Sequence, residues 1–370
     1  LEPITHEEGY LTTRITEEAV DFIDRRKEDP FFLYVAYNAV HTPAEAPEED
    51  FKPLTDDPLR NTLMAMLMHL DNGVGEIVGK LKEEGLFENT LLIYLSDNGG
   101  AGAMNANNAP LRGFKQDDYE GGVRGPKELK GGTTCDVPLW STDILPTILS
   151  ATGQDLPTAR PLDGVDMLPA LKGKTDKLHD HLFWSSGGSD GKWGLRSGKW
   201  KLVGVKDQLE LFDLESDLGE TTDLKEEHPE LLASLQQTFD GWIAEMADPI
   251  DGSPKVWSSE VGKASKKKDG KKPAPAATGS AVSSKPQPIG GNKSKAKNVL
   301  FIVCDDLNTH VSPSGYDPIK TPTLAQFASE SMTFQRAFCQ YPVCGPSRAS
   351  FLNGLYPQSS GVLDNTADVR

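Results

Sequence analysis

Asn298-Val299-Leu300-Phe301-Ile302-Val303-Cys304-Asp305-Asp306 is the stretch on which the fold turns. It is a continuous apolar run, rich in β-branched and aromatic residues, that ends in two aspartates. Such a run predicts a strand buried on both faces. Two other segments follow the same plan. Asp29 to Tyr37 ends at Asn38-Ala39-Val40-His41-Thr42-Pro43, and Asn89 to Ser96 ends at Asp97-Asn98-Gly99-Gly100. Strands without polar alternation belong in a parallel sheet flanked by helices. Leu63, Met66, Leu67, Leu70, Val74, Ile77, Val78 and Leu81 keep helical spacing. They predict a helix from about Leu59 to Glu84 with Gly85 at its C-terminal end. Shorter helices are expected over Asp143 to Ala151 and Thr323 to Ser331.

Outward from these strands the texture changes twice. Trp193 to Arg196, Lys199 to Val203 and Leu209 to Phe212 read as short strands, the first two separated by a Ser197-Gly198 turn. They predict a small antiparallel subdomain over about 180–250, closed by a helix from Pro229 to Met246. From 258 to 296 the chain is Lys, Pro, Ala, Ser and Gly without apolar periodicity, which reads as a disordered linker. The expected organisation is therefore 1–257, linker 258–296, and 297–370.

The net charge of −17 argues against a general nucleic-acid binder. Residues 262–297 hold ten Lys and one Asp, a net of +9, so the remainder carries −26. No run approaches a membrane span. The four cysteines, Cys135, Cys304, Cys339 and Cys344, are too scattered for a disulfide scaffold. The chain starts at Leu1 with what reads as mid-domain sequence, so a missing signal peptide is uninformative.

Each apolar strand delivers polar groups at its C-terminal end: His41, Asp97 with Asn98, and Asp305 with Asp306. Open α/β sheets build their sites there. Several carboxylates and an amide make hard oxygen donors, suited to Ca²⁺ or Mg²⁺ rather than Zn²⁺. Any one such pair alone is more often a turn. Cys344-Gly345-Pro346-Ser347-Arg348-Ala349-Ser350-Phe351-Leu352-Asn353-Gly354 is far more specific. It matches Cys-x-Pro-Ser-Arg-x-x-x-Leu-x-Gly, and here the chain resembles the type I sulfatases of the alkaline-phosphatase-like superfamily. Leu355 departs from the Arg usual after that glycine. Phe31 to Pro43, Leu91 to Gly100, and Leu111 to Lys115 with Tyr119 to Arg124 are also similar to family segments.

The resemblance implies an α/β sheet flanked by helices with a small antiparallel C-terminal subdomain. It implies hydrolysis of sulfate monoesters, with Cys344 oxidised to formylglycine by a maturing enzyme. One hydroxyl of the hydrated aldehyde would attack sulfur, and the other would expel sulfate. By the same match Asp97, Asn98, Asp305, Asp306 and residue 344 hold Ca²⁺, with Mg²⁺ as the alternative. Asp97 also helps deprotonate the nucleophile, Lys115 binds sulfate, and His41 contacts sulfate and protonates the leaving oxygen. Arg348 holds the hydrated aldehyde and a ligating carboxylate. Pro346 suits a helix's first turn, with the nucleophile at the positive end of its dipole. The expected substrate is a sulfated carbohydrate or aryl sulfate, and the expected location is secreted or periplasmic.

Two features break the match. The Cys344 segment follows the Asp-Asn-Gly segment, whereas the family has the reverse order. The family's Lys-x-His motif is missing; Lys199-Trp200-Lys201 imitates it with Lys in place of His and reads as a structural strand. His69 reads as structural, and His179, His181 and His228 as members of polar, exposed stretches. Two explanations follow. Either 1–257 ends one sulfatase and 297–370 starts another, leaving two incomplete modules, or the chain is a circular permutant with one site. The missing motif favours the first, with 1–257 closer to arylsulfatases and 297–370 to iduronate-sulfatase-like proteins. The rivals for function are a phosphate or phosphonate ester hydrolase and a non-catalytic binding protein.

Overall fold

From the N-terminus the elements run α1 (Leu11–Arg26), β1 (Phe32–Ala36), α2 (Pro58–Glu83), β2 (Thr90–Ser96), α3 (Glu120–Val123), β3 (Thr133–Cys135), β4 (Leu139–Trp140), α4 (Ile144–Ala151) and α5 (Leu168–Leu171). Then come β5 (Leu182–Gly187), β6 (Lys192–Ser197), β7 (Trp200–Val205), β8 (Gln208–Asp213) and α6 (Pro229–Glu245). After the linker follow β9 (Asn298–Cys304), α7 (Pro322–Glu330), β10 (Met332–Phe334), β11 (Ala337–Phe338), α8 (Cys344–Asn353) and α9 (Pro357–Ser360). The structure is a computed structural model. It describes residues 9–52, 55–124, 132–187, 191–206, 208–246, 298–307, 311–314 and 319–367. The linker expected over 258–296 lies outside them.

The three apolar runs form one parallel sheet in the order β1-β9-β2. Phe32 pairs with Val299 on one side of β9, and Thr90 with Asn298 on the other. All seven residues of β9 are buried. Leu300, Ile302 and Cys304 face a core built with α1 and α2, which includes Ile23, Leu70, Val74 and Ile77. Val299, Phe301 and Val303 face the other way, onto Ile144 and Ile148 of α4 and Phe351 of α8. Each such side chain contributes roughly 1.5–3 kcal/mol of burial. Asp57 caps α2, accepting from the Leu59 and Arg60 amides at 3.0 and 3.3 Å, with Pro58 in the first turn.

The motif order favoured two separate incomplete modules, but here 297–370 is interleaved with the first segment. β10 pairs with β3 and β11 with β4, both parallel. The physical reason lies in β9: a strand apolar on both faces needs cover on both, and the helices of the first segment supply most of it.

β5 to β8 form the expected antiparallel sheet, with β5 as a strand the sequence reading did not foresee. Its α6 cover includes Phe239 stacked on Trp193 at 4.1 Å. His179 departs from expectation. Its side chain is only 9% exposed and its Nε2 lies 2.8 Å from buried Asp143. That carboxylate also accepts from the Trp140 amide, so a histidine in a polar stretch is tied to the fold.

Candidate active site

The C-terminal ends of β9 and β2 lie side by side, and this brings their acidic residues together. Asp97 and Asp306 are 0% and 3% exposed. Carboxylate oxygens of Asp97, Asp305 and Asp306 lie within 4.8 Å of one another. Asp306 takes a left-handed backbone, φ 58°, which Asp tolerates better than most residues. Its amide then lies 3.3 Å from Asp97 Oδ1. Asn98 Nδ2 donates to Asp306 Oδ1 at 2.6 Å. The turn after β2 requires Gly99, because a Cβ there would lie 2.0 Å from the Gly121 carbonyl oxygen. The Gly99 amide donates to Gly122 O at 2.9 Å, fixing the turn against α3.

Cys344 is the first helical residue of α8, and Pro346 lies within its first turn, where no amide donor is needed. Arg348, one turn on, forks between two of the carboxylates. Its Nε donates to Asp97 Oδ2 at 2.8 Å and its Nη2 to Asp305 Oδ2 at 2.9 Å. The Ser347 hydroxyl donates to the Asp97 carbonyl, locking helix to strand end.

Lys115 Nζ lies 2.7 Å from Asp306 Oδ1 and 3.4 Å from Cys344 Sγ. Burial opposes its charge, but Asp306 overrides this and raises the Lys115 pKa. His41 Nδ1 donates to the Thr42 carbonyl at 2.7 Å. Its Nε2 therefore faces the site, 3.8 Å from Asp306 Oδ2. His41, Asp305 and Cys344 also bring ligand atoms within 4.8 Å of one another. All eight site residues expected from sequence thus converge here.

Burial pushes the Asp305 carboxyl up to about 7, with Asp97 and Asp306 adding repulsion against the pull of Arg348 and Lys115. Asp97 is raised as well, first by burial. Asn98 Oδ1 and Asp305 Oδ1 are buried without a hydrogen-bond partner. Crowded carboxylates with orphaned oxygens fit a hard divalent cation, which would lower both raised carboxyls and give the orphans a partner.

Asn365 escaped the sequence reading. Its Oδ1 accepts from the Gly345 amide at 2.8 Å and its Nδ2 lies 3.7 Å from Cys344 Sγ. Nothing in the sequence pattern marks it. The other described histidines are engaged elsewhere: His69 with Asp50, His179 with Asp143, His181 against Phe183 and His228 against Trp200. None supplies the missing Lys-x-His. Lys201 lies on β7, fully buried against Glu120.

A family model described as Sulfatase matches residues 1–153 and 297–369. An uncharacterized sulfatase, YdeN, of Escherichia coli K12 is 34% identical over 190 residues, 48% of this chain and 34% of its own length. Mouse N-acetylgalactosamine-6-sulfatase is 32% identical over 243 residues, 60% of this chain and 46% of its own. The chain thus spans less than half the length of these relatives. Among solved structures, Ps i-CgsB in complex with k-i-k-neocarrahexaose superposes with a TM-score of 0.59 at 32% identity. That match covers 70% of this chain and 59% of that one.

Proposed function

Because this chain belongs to the sulfatase family, we propose that it hydrolyses sulfate monoesters at a single site assembled from both of its segments. The observation that carries this reading is the meeting of Lys115 with Cys344 across 229 residues of sequence, beside the three carboxylates. We read the two segments as one permuted module, supported by the place of β9 between β1 and β2.

In this reading residue 344 is matured to formylglycine, whose hydrate supplies the hydroxyl nucleophile. Asp97, Asn98, Asp305 and Asp306 would hold Ca²⁺, or Mg²⁺, which would supply positive charge toward a sulfate ester. Arg348 and Asn365 hold the side chain of residue 344 against the helix. Asp97, buried beside Arg348, takes up the proton of the attacking hydroxyl. Lys115 reaches into the site from the loop after β2 and grips a sulfate oxygen. His41, oriented by the Thr42 carbonyl, gives a proton to the departing oxygen from Nε2. R–OH leaves first; the second hydroxyl of residue 344 then loses its proton, the aldehyde re-forms by breaking the C–O bond to the transferred group, and sulfate departs. The charges on buried Asp97 and Asp306 act in a partly water-excluded place, where they are stronger than in water.

The partners are then a formylglycine-generating enzyme and a sulfated sugar or aryl sulfate. Ps i-CgsB was solved with neocarrahexaose, so a carrageenan-type oligosaccharide is the first polymeric substrate to try. A secreted or periplasmic location fits the acidic composition; among the described residues no helix is long and apolar enough to cross a membrane.

The test is turnover of an aryl sulfate against the matching aryl phosphate. The chain is co-expressed with the maturing enzyme, supplied with Ca²⁺, and checked for modification at Cys344 by peptide mass. Sulfate turnover exceeding phosphate turnover is expected. The reverse preference makes it a phosphate ester hydrolase, and a modified but inert chain makes it a binding protein.

A further inference from the structure

Between the β3–β4 and β10–β11 region and the antiparallel subdomain lies a cleft of about 1100 Å³ that shares no wall with Asp97, Lys115, Cys344 or Arg348. Three arginines line it, and two of them, Arg124 at the end of α3 and Arg196 on β6, are buried. They are only 6% and 4% exposed. Both reach the same oxygen, Glu120 Oε2, at 3.2 and 3.0 Å. Both also sit over the Phe338 ring, at 5.9 and 5.2 Å. Arg124 spends Nη2 on the Gln335 carbonyl, but its buried Nε has no partner. His181 Nδ1, in the same lining, is likewise buried without one.

Charge at the floor is in surplus. Lys201 joins the arginines on Glu120, at 3.2 Å from Oε1, so three cations share one carboxylate. Glu220 is the neighbouring buried acid, and burial pushes it up to about 8, so it adds little negative charge at neutral pH. Asp118, which also feels Lys201, is pushed up by burial to about 6 and is partly committed to Ser186 and Lys192. A purely structural tie around Glu120 needs no cleft beside it.

The mouth is mixed. Lys177, Lys199 and Arg336 stand there against Asp136, Asp176, Asp180 and Glu215. A mouth of both signs repels a dense polyanion but offers donors and acceptors to hydroxyl groups. A basic floor beneath it selects one buried negative group. The cleft is several times larger than a lone tetrahedral anion needs and lies just above the usual size of small-molecule sites. We propose that this cleft is a second ligand site, which takes a sugar bearing one oxyanion, sulfate or carboxylate, with the oxyanion on Arg124 and Arg196. The site stands on these contacts alone and does not require the metal centre to be a sulfatase.

The test uses the full chain as Lys115→Ala, which weakens anion binding at the metal centre. Glucose 6-sulfate, glucuronate and glucose are titrated by calorimetry. Expected is saturable one-to-one binding of glucose 6-sulfate, glucuronate or both, and none of glucose. Which anion binds tells sulfate from carboxylate as the source. Because Arg124 or Arg196 variants risk misfolding, the second variant is the rim pair Arg336→Glu with Lys199→Glu, which should weaken binding about tenfold and leave aryl sulfate turnover unchanged. The proposal is overturned by no binding in Lys115→Ala, by equal binding of glucose, or by full affinity in the rim pair.

Discussion

Around Asp97 three carboxylates, two of them buried, meet two cations, Lys115 and Arg348; around Glu120 three buried cations meet one carboxylate. Burial pushes Asp97, Asp305 and Glu120 toward their neutral forms. At the first cluster it wins, and Asp305 stands at about 7. At the second, Lys201, Arg196 and Arg124 overcome it and hold Glu120 at about 2. The count of partners decides the sign. An excess of buried acid with orphaned oxygens marks a place suited to a cation. An excess of buried base, tied through Glu120, marks a joint between subdomains whose spare donors suit an anion.

The largest expected effect separates chemistry from architecture. Cys344→Ala should lower aryl sulfate turnover by about a thousandfold or more, while its unfolding free energy in urea changes by no more than about 0.5 kcal/mol. A variant that keeps its turnover sinks the assignment of the first cluster. Glu120→Gln should do the opposite, because it leaves three buried cations sharing a neutral amide. A loss of about 3–5 kcal/mol is expected in chemical denaturation. If Glu120→Gln is as stable as the parent, the joint reading fails.

Removal of divalent cations probes the first cluster alone. With Ca²⁺ at about a hundredfold over its Kd, the parent should gain roughly 2.7 kcal/mol over the chelated protein. Glu120→Gln should gain as much, and Asp305→Asn much less, by calorimetric unfolding. Equal gains in all three would place the cation elsewhere.

The smallest effect concerns Glu220. Its folded pKa, about 8, lies above that of an unfolded glutamate. The folded chain therefore holds a proton that the unfolded chain releases. This stability is fully present below the ordinary glutamate range and is lost as pH rises through about 8. Glu220→Gln should flatten the fall in stability between about pH 5 and 8, by on the order of 1 kcal/mol or more. An unchanged slope would mean that Glu220 is ionised in its niche.

The first cluster was legible in sequence and the second was not. Asp97, Asn98, Asp305 and Asp306 follow apolar runs whose strand ends can be read by eye, and the Cys344 segment carries a specific signature. Glu120 and Arg124 lie in a segment similar to the family's, and Arg196 and Lys201 on expected strands, but nothing in the text joins the four charges. Only tertiary packing buries them. The same blindness hid Asn365 and the tie between His179 and Asp143. It also hid the interleaving, because motif order speaks of connectivity, whereas strand pairing is decided by which apolar faces need cover.

The central position of β9 bears on how such a molecule is made. The Phe31 amide finds its acceptor, Asn298 Oδ1, 267 residues later, and β1 and β2 cannot join one sheet until β9 separates them. During synthesis the first segment emerges with both strand edges open and the β9-facing side chains of α1, α2 and α4 still uncovered. Long-range parallel pairing is slow, and such intermediates are prone to aggregate. Yield in a cell should therefore depend on how long a chaperone can shelter the first segment while it waits for the central strand of its sheet.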